Sequence, residues 1–305
     1  MTITYHEQHL ADRAAMVAMR GFLMASAAPP VAPEGRPGYD EMMVKTPTPE
    51  GVTWTAGQID GVSGWWCRPS RAVQGAAIVY LHGGCYVLGS AAAYRGFVSQ
   101  IAARSRAATF VADYRLAPEN PFPAAFEDAC RVLDGIKAEG FQTVALAGDS
   151  AGGGLGLAAL ASGAIRTHVV AVAVFSPWID LSLSSETMES RADVDPILSR
   201  TSLQQAVDQY FPGGDLRDQR TNAMSGDLTK LPPVRIDVGD DEVLLDDSLR
   251  FHALVDAAHR PQCEVHVWKG MVHVFPTNIA MLKAAEEALD GVGAFLLNAL
   301  SAQSQ

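Results

Sequence analysis

The sequence predicts an α/β domain in which a mostly parallel sheet is covered by helices on both faces. Strand-like apolar runs alternate with longer helix-like stretches from residue 76 onward, and each run is bounded by Gly, Pro or Asp. Parallel strands need crossover connections, so this alternation is typical of a sheet with helices on both faces. The chain has 305 residues, 48% hydrophobic and 19% charged, which is enough for a full-size core and excludes a mostly disordered protein.

The predicted elements follow one another in a regular order. Two β-like segments, VTWTAGQI from Val52 and GWWC from Gly64, come before the alternation. In the last segment apolar residues recur every three or four positions from Ile279 to Leu296, so one face of a final helix should pack on the sheet. The strands between them are AAIVYLH, ATFVADY, TVALAGD, HVVAVAVF, VRIDVG and CEVHVWKG, with helix-like stretches at 122–139, 151–166 and 244–259.

Two segments depart from this alternation. Residues 1–50 combine a polar, weakly amphipathic helical stretch with the Pro-rich passage AAPPVAPEGRPGYD, which should lack regular structure because proline fixes φ and removes a donor. Residues 181–224 are polar and helix-prone, and they are too long for an ordinary connection. We interpret 1–50 as an arm that contributes to a cap over a 51–305 domain, and 181–224 as a second cap insertion.

Charge and composition exclude several classes of protein. With 23 Lys+Arg against 34 Asp+Glu the net charge is −11, so nucleic acid and acidic membrane surfaces would be repelled. Glu7 and Asp12 lie where a secretory signal would be basic and then apolar, and the strand-like apolar runs fall short of the roughly 18 residues that cross a bilayer. The four cysteines match neither zinc-site nor disulfide-framework spacing. A soluble cytoplasmic protein with reduced thiols, no metal and no cofactor is expected.

The strongest chemical signal is the run Gly148-Asp149-Ser150-Ala151-Gly152, between the apolar TVALA and a Gly/Ala-rich helical stretch. A serine at a sharp strand-to-helix turn has its hydroxyl lifted into a cleft, and glycines on either side avoid collisions with the neighbouring strand and helix. The Ala151 amide then lies at a helix N-terminus, where it favours a developing oxyanion. A Gly-rich turn with an incidental serine is the simpler alternative, but the placement favours a nucleophile.

A second signal is His82-Gly83-Gly84 at the end of the strand AAIVYL. Two consecutive glycines expose backbone N–H groups without a Cβ in the way, as an anion-stabilising loop requires. The amides of Gly83 and Gly84 are therefore candidates to complete an oxyanion hole with Ala151. For His82 itself, a buried and hydrogen-bonded packing role is the preferred interpretation.

A nucleophilic serine needs a base, and the base needs an orienting carboxylate. Among the histidines, His273 alone follows a late strand and a glycine turn near the same end of the sheet. After the strand VRIDVG, Asp240, Asp241 and Glu242 compete for the orienting role, and spacing puts Asp241 only slightly ahead. The order serine, acid, histidine is the order found in α/β hydrolases.

Four motifs in order make the sequence similar to one family, the hormone-sensitive-lipase-like (bacterial family IV) esterases of the α/β-hydrolase fold. The run around Arg115 is far more specific than a bare serine motif. The motifs are His82-Gly83-Gly84 with Tyr86, Asp113-Tyr114-Arg115-Leu116-Ala117-Pro118-Glu119, Gly148-Asp149-Ser150-Ala151-Gly152-Gly153, and Asp241-Glu242 with Gly270-Met271-Val272-His273.

The resemblance implies a serine carboxylesterase that hydrolyses short to medium acyl esters through an acyl-enzyme intermediate. It makes Ser150 the nucleophile, His273 the base and Asp241 its partner. It also implies oxyanion donors at Gly83, Gly84 and Ala151, a cap formed by the arm and the insertion, and pairing of two copies through an edge strand near the C-terminus.

Two alternatives remain beside this expectation. A lactone is an intramolecular ester and needs the same three residues, so a lactone hydrolase is the second candidate. A catalytically silent small-molecule receptor on the same fold is the third, and the complete set of three residues argues against it.

Several residues keep two interpretations. Cys85 stands where the family usually has a third glycine, and it is either a small packed residue or a thiol beside the acyl pocket. Arg115 and Glu119 are treated as scaffold charges. Five apolar or aromatic side chains are candidates for the acyl pocket and equally for ordinary packing: Phe22, Met24, Tyr86, Tyr210 and Phe211.

Overall fold

The computed structural model describes residues 2–26, 28–258 and 262–302, and within them nine strands form a single sheet. The strands are β1 Thr2–His6, β2 Val52–Ile59, β3 Val62–Pro69, β4 Ala76–Leu81, β5 Ala108–Ala112, β6 Thr143–Asp149, β7 Val169–Phe175, β8 Val234–Gly239 and β9 Cys263–Trp268. Their order across the sheet is β1-β9-β8-β7-β6-β4-β5-β3-β2.

Helices occupy most of the connections between these strands. The α-helices are α1 Leu10–Ala25, α2 Arg36–Met43, α3 Ala91–Ser105, α4 Ala124–Gly135, α5 Ser150–Ala161, α6 Thr187–Ser190, α7 Arg200–Tyr210, α8 Leu245–Ala257 and α9 Lys283–Ala302. No helix in the described ranges combines the length and the apolar character that spanning a membrane would require.

The sheet is parallel except at one side, where β3 pairs antiparallel with both β2 and β5. Strands β4, β5, β6 and β8 are buried along their whole length, as expected of parallel strands covered on both faces. The predicted α/β class is therefore confirmed. The bounds of β2, β6 and β8 coincide with the predicted runs, whereas residue 259, at the end of the predicted stretch 244–259, lies outside the described residues.

Two apolar clusters lie on opposite faces of the sheet. Val79 and Tyr80 are neighbours in β4, so their side chains point to opposite faces and join different clusters. The cluster around Val79 includes residues of α4, α5 and α8, and the cluster around Tyr80 includes residues of α3 and α9. Helix α3 had no counterpart among the predicted helical stretches; its small residues are buried on several sides, which hides the helical period.

The arm differs from its prediction in two places. Residues 2–6 form β1, which pairs parallel with β9 at the sheet edge instead of continuing a helical stretch. The ring of His6 stacks on Trp268 with centroids 3.8 Å apart, which helps to hold this strand in place. The Pro-rich passage also enters helix α2 at residue 36, because Pro37 lies in the first turn, where a missing N–H needs no acceptor.

Asp247 on α8 binds the chain just before the second insertion. Its Oδ2 accepts hydrogen bonds from the backbone N–H groups of Ile179 and Asp180, both at 2.9 Å. Its Oδ1 has no partner among the described residues. The side chain is fully buried, and burial raises its pKa to about 7.

We expect Asp247→Asn to gain stability relative to the wild type as pH rises from about 4 to about 8. The raised pKa means that the folded wild type loses stability as the carboxyl ionises in this range, whereas asparagine cannot ionise. The free energy of unfolding of the variant minus that of the wild type should increase by a few kcal/mol over this pH range, at about 1.4 kcal/mol per unit of pKa shift. Urea unfolding at several pH values measures it, with the half-buried neighbour Asp246→Asn as control. A difference that does not change with pH would contradict the expectation.

Candidate active site

Ser150 lies at a sharp turn between β6 and α5. Its φ is +50°, a left-handed conformation that is strained for a residue with a side chain. The flanking glycines are required by close packing, because a Cβ on Gly152 would lie 2.1 Å from the carbonyl oxygen of Leu81 and one on Gly148 2.8 Å from the same oxygen. The predicted strand, turn and helix are therefore present, and the serine is 4% exposed.

His273 lies where the sequence placed the base, on the loop after β9. Its Nε2 is 2.9 Å from Ser150 Oγ, although the two residues are 123 positions apart in the chain. Its Nδ1 is 2.8 Å from the Oε2 atom of Glu242. Because a carboxylate accepts, Nδ1 carries the proton and Nε2 is free to accept from the serine hydroxyl.

The carboxylate beside His273 belongs to Glu242, and the assignment of this role to Asp241 is wrong in its geometry. Asp241 points away and forms an ion pair with Arg20 of α1. Glu242 is fully buried, and its Oε1 accepts hydrogen bonds from the Gly239 N–H and the Ser176 hydroxyl. One signal in the sequence favoured Glu242: the apolar run 243–245 begins directly after it. That run is buried in the structure, so the chain enters the core at Glu242.

Ser176 is a site residue that the motif search did not assign. It follows β7 at the same sheet edge, with φ of +45°. Its hydroxyl donates to Glu242 Oε1 at 2.8 Å and accepts from the Val274 N–H at 3.0 Å. It therefore links the acid and the loop of the histidine. Its position directly after a buried strand, at the edge where ligands bind in open parallel sheets, was the available signal.

The imidazole of His273 is buried, and its surroundings favour the protonated form. Burial by itself would lower its pKa, but the hydrogen bond and charge of Glu242, with the charges of Asp195 and Asp149, outweigh burial and raise the pKa above its usual value. These surroundings therefore stabilise His273 as an imidazolium, the form that a general base takes after accepting a proton.

Gly83 does not fit the role of oxyanion donor that was expected of it. Its N–H donates to the Oδ1 atom of Asp149 at 2.9 Å and is therefore occupied. The next two residues, Gly84 and Cys85, have φ of +113° and +57°, and no described residue accepts from their N–H groups. The donors available for an oxyanion are therefore at Gly84, Cys85 and, in the first turn of α5, Ala151.

The side chain of Cys85 is packed in the core. It is 7% exposed, and burial raises its pKa to about 12, so the thiol stays protonated. This agrees with the packed interpretation of the residue. What the chain contributes at this position is the backbone N–H, which a cysteine supplies as well as a glycine does.

Asp149 connects the serine turn with the loop of residues 83–85, which we call the oxyanion loop. Besides the Gly83 N–H, it accepts from the hydroxyls of Tyr80 at 2.7 Å and Tyr94 at 3.0 Å. The Tyr94 hydroxyl is in turn 2.8 Å from that of Tyr39 on α2. Burial raises the Asp149 pKa although these hydrogen bonds oppose it. A hydroxyl network therefore runs from the arm to the residue before the nucleophile.

Three of the five candidate pocket residues form one buried aromatic group near the site. The rings of Tyr86 and Tyr210 stack with centroids 3.8 Å apart, and the ring centroid of Trp178 lies 5.9 Å from that of Tyr86. The backbone N–H of Trp178 donates to the carbonyl oxygen of Ser150 at 2.9 Å, and the ring of Phe211 contacts that of Phe122. Phe22 and Met24 are 65% and 80% exposed, which agrees with neither the pocket nor the packing interpretation; α1 turns them towards solvent.

The remaining predicted residues have structural partners. His82 is buried, with Nδ1 2.7 Å from the Gly83 carbonyl oxygen and its ring stacked on Tyr114. Arg115 pairs with Asp128. Glu119 accepts from both terminal nitrogens of Arg36, whose Nε donates to the Val87 carbonyl oxygen near the oxyanion loop. These contacts agree with packing and scaffold roles.

Known proteins resemble this chain in sequence and fold. The family described as alpha/beta hydrolase fold matches residues 78–277. An acetyl-hydrolase of Streptomyces hygroscopicus is 38% identical over 242 residues, which cover 77% of this chain and 79% of that protein. An esterase of Acinetobacter venetianus is 31% identical over 229 residues, covering 72% and 73%.

Solved structures agree over nearly the whole chain. An esterase from the bacterial hormone-sensitive lipase family has a TM-score of 0.87 at 30% identity, covering 94% of this chain and 97% of its own. The esterase EstE5, in a crystal soaked with ethyl alcohol, has a TM-score of 0.86 at 32% identity, covering 94% and 98%. The chain therefore belongs to the α/β-hydrolase fold family and is a carboxylic ester hydrolase of its hormone-sensitive-lipase-like branch.

Proposed function

We propose that the protein is a serine carboxylesterase that hydrolyses short to medium acyl esters through an acyl-enzyme intermediate. The observation that carries the proposal is the continuous hydrogen-bonded series from Ser150 through His273 to Glu242, with contacts of 2.9 and 2.8 Å. A serine hydroxyl is a weak nucleophile unless a base within hydrogen-bond reach takes its proton.

In the first half of the reaction, His273 Nε2 takes the proton from Ser150 as Oγ forms a bond to the ester carbonyl carbon. The carbonyl oxygen becomes an anion, and the N–H groups of Gly84, Cys85 and Ala151 stabilise it. The intermediate then collapses, the bond to the alcohol oxygen breaks, and the imidazolium returns its proton to the leaving alcohol. Throughout, Glu242 accepts the hydrogen bond from Nδ1 and stabilises the imidazolium.

In the second half, water attacks the acyl-enzyme while His273 takes its proton. The same N–H groups stabilise the second oxyanion. Collapse breaks the bond between Oγ and the acyl carbon, the imidazolium returns its proton to Oγ, and the carboxylic acid leaves. No cofactor enters either half. The two serine-linked steps use one base, so the pKa of His273 governs both.

Substrate size is supported by the closed surroundings of the nucleophile. Ser150 and His273 are 4% and 9% exposed, and the buried stack of Tyr86 and Tyr210 adjoins Trp178, whose backbone N–H donates to the Ser150 carbonyl oxygen. The relatives agree with small acyl groups: one is an acetyl-hydrolase, and EstE5 crystals were soaked with p-nitrophenyl butyrate. A lactone needs the same residues and is the alternative substrate class.

Labelling and a substrate panel test the proposal. A fluorophosphonate should form one adduct, mapped by mass spectrometry to Ser150, and unlabelled protein would favour the silent receptor instead. p-Nitrophenyl esters from acetate to palmitate should show the highest kcat/KM among the short and medium chains. A medium-ring lactone measured beside them should be hydrolysed less efficiently. A clear lactone preference would replace the ester assignment while leaving Ser150 as the nucleophile.

A further inference from the structure

Arg20 on α1 lies where the arm meets three other parts of the chain. One terminal nitrogen donates to the Val194 carbonyl oxygen of the second insertion at 2.6 Å. The other forms the ion pair with Asp241 and reaches the Gly270 carbonyl oxygen at 3.5 Å. The Arg20 side chain is about one-quarter exposed, so most of its surface is shielded from solvent.

Two of these contacts lie on the loops that carry the acid and the base. We call residues 240–242 the acid loop and residues 269–273 the histidine loop. The Gly270 N–H donates to Asp240 Oδ1 at 2.6 Å, and the Asp241 N–H donates to the Met271 carbonyl oxygen at 3.2 Å. Arg20 bridges the same two loops through Asp241, which is adjacent to Glu242 in the chain, and Gly270, which is three residues before His273.

The insertion holds the acid loop from another direction. Asp195, directly after Val194, accepts the Val243 N–H at 2.9 Å, and it is buried. The insertion is thus bound both to Arg20 and to the residue after Glu242. The charged groups that act most strongly on His273 are Glu242 of the acid loop, Asp195 of the insertion and Asp149 at the end of β6.

We infer that Arg20 is a positioning residue for the acid and base of the esterase, through its simultaneous hold on the acid loop, the histidine loop and the second insertion. The inference rests on the proposed function. Glu242 and His273 are carried by loops, and a displacement of about 1 Å in a catalytic geometry can cost on the order of a hundredfold in rate. A single guanidinium with donors on two sides can restrain three segments at once.

Loss of the Arg20 charge should shift the pH dependence of kcat/KM, which greater mobility of the two loops alone would not do. Without Arg20, the negative charge of Asp241 is uncompensated and should stabilise the imidazolium of His273. Without the Asp241 charge, Arg20 remains as an unpaired cation and should destabilise it. The acid limb of the kcat/KM profile should therefore move to higher pH in Arg20→Ala and to lower pH in Asp241→Asn, each by about 0.3 of a pH unit.

The test compares these variants with a matched ion pair elsewhere. Arg20→Ala should lower kcat by roughly tenfold to a hundredfold with a smaller change in KM. Arg20→Lys keeps the charge but offers one ammonium in place of two separated donors, and it should recover part of the loss. Arg104→Ala removes the ion pair with Asp290, which joins α3 to α9, and it should leave kcat unchanged.

The outcomes separate this inference from the proposed function. Every variant should still be labelled by fluorophosphonate at Ser150; loss of labelling in the wild type itself would remove the proposed function. With labelling intact, Arg20→Ala kinetics equal to those of Arg104→Ala would overturn the inference. Shifts of the acid limb in the same direction in Arg20→Ala and Asp241→Asn would also overturn it. If Arg20→Ala does not fold, Arg20→Lys and Asp241→Asn carry the same comparison.

Discussion

Replacing Ser150 with alanine should lower kcat for a short p-nitrophenyl ester by roughly four to six orders of magnitude. The hydroxyl is the atom that bonds to the acyl carbon, and His273 has no other hydroxyl within hydrogen-bond distance among the described residues. The oxyanion donors remain in the variant, so a small residual rate above that in water is expected.

Steady-state kinetics with highly purified protein measure this effect. Ser162→Ala is the matched control, since Ser162 lies at the opposite end of α5 and contacts only backbone there. It should retain wild-type kcat. Near-native activity in Ser150→Ala, with the labelling lost, would mean that another residue attacks the ester.

Glu242→Gln should lower kcat by roughly three to four orders of magnitude, by analogy with loss of the orienting carboxylate in other serine hydrolases. Glutamine keeps the shape but removes the charge that stabilises the imidazolium. Its amide also donates, so it can favour the tautomer with the proton on Nε2. Because the Glu242 hydrogen bond and charge raise the pKa of His273, the acid limb of kcat/KM should move to lower pH in the variant.

Two neighbouring carboxylates provide the comparison for Glu242. Asp241→Asn should lose far less activity, since its carboxylate contacts Arg20. Asp246 lies four residues after Glu242, and Asp246→Asn should have wild-type kinetics. The Asp246 carboxylate accepts from the backbone N–H of Glu186, and the Asp246 backbone N–H donates to the hydroxyl of Thr187. The opposite result, a large loss in Asp241→Asn with little in Glu242→Gln, would restore the assignment made from the sequence motif.

Both predictions depend on turns that meet at one edge of the sheet. Strands β4, β6, β7, β8 and β9 are parallel, so the loops after them emerge on the same side. The serine turn, Ser176, the acid loop and the histidine loop each follow one of these strands. Residues far apart in sequence are brought together because parallel strands share a direction, which is why such edges hold active sites.

The sheet was well predicted because its signal is local. A strand buried on both faces reads as a nearly continuous apolar run, and β4, β5, β6 and β7 have that form, whereas β8 includes the buried ion pair of Arg235 and Asp237. The glycine-flanked Ser150 was predictable for the same reason, since the collisions that exclude side chains at Gly148 and Gly152 arise within one strand, one turn and one helix.

The errors lie where a side chain's role depends on distant parts of the chain. Gly83 was expected to face an oxyanion, but its N–H binds the carboxylate of Asp149, 66 positions away. Phe22 and Met24 were candidates for a pocket or for ordinary packing, but the docking of α1 leaves them in solvent. The strand β1 could be recognised only beside β9, because a strand of five residues has little apolar pattern of its own.

By itself the sequence determined the α/β class, the order of strands β2 to β9 along the chain, the serine turn and His273 as the candidate base. Those features follow from backbone conformation and burial within short segments. Only the tertiary structure decided that Glu242 and not Asp241 contacts the imidazole, and that Asp241 instead pairs with Arg20. Adjacent residues differ by the direction in which the loop presents them, and that direction is set by hydrogen bonds to other strands and to the arm.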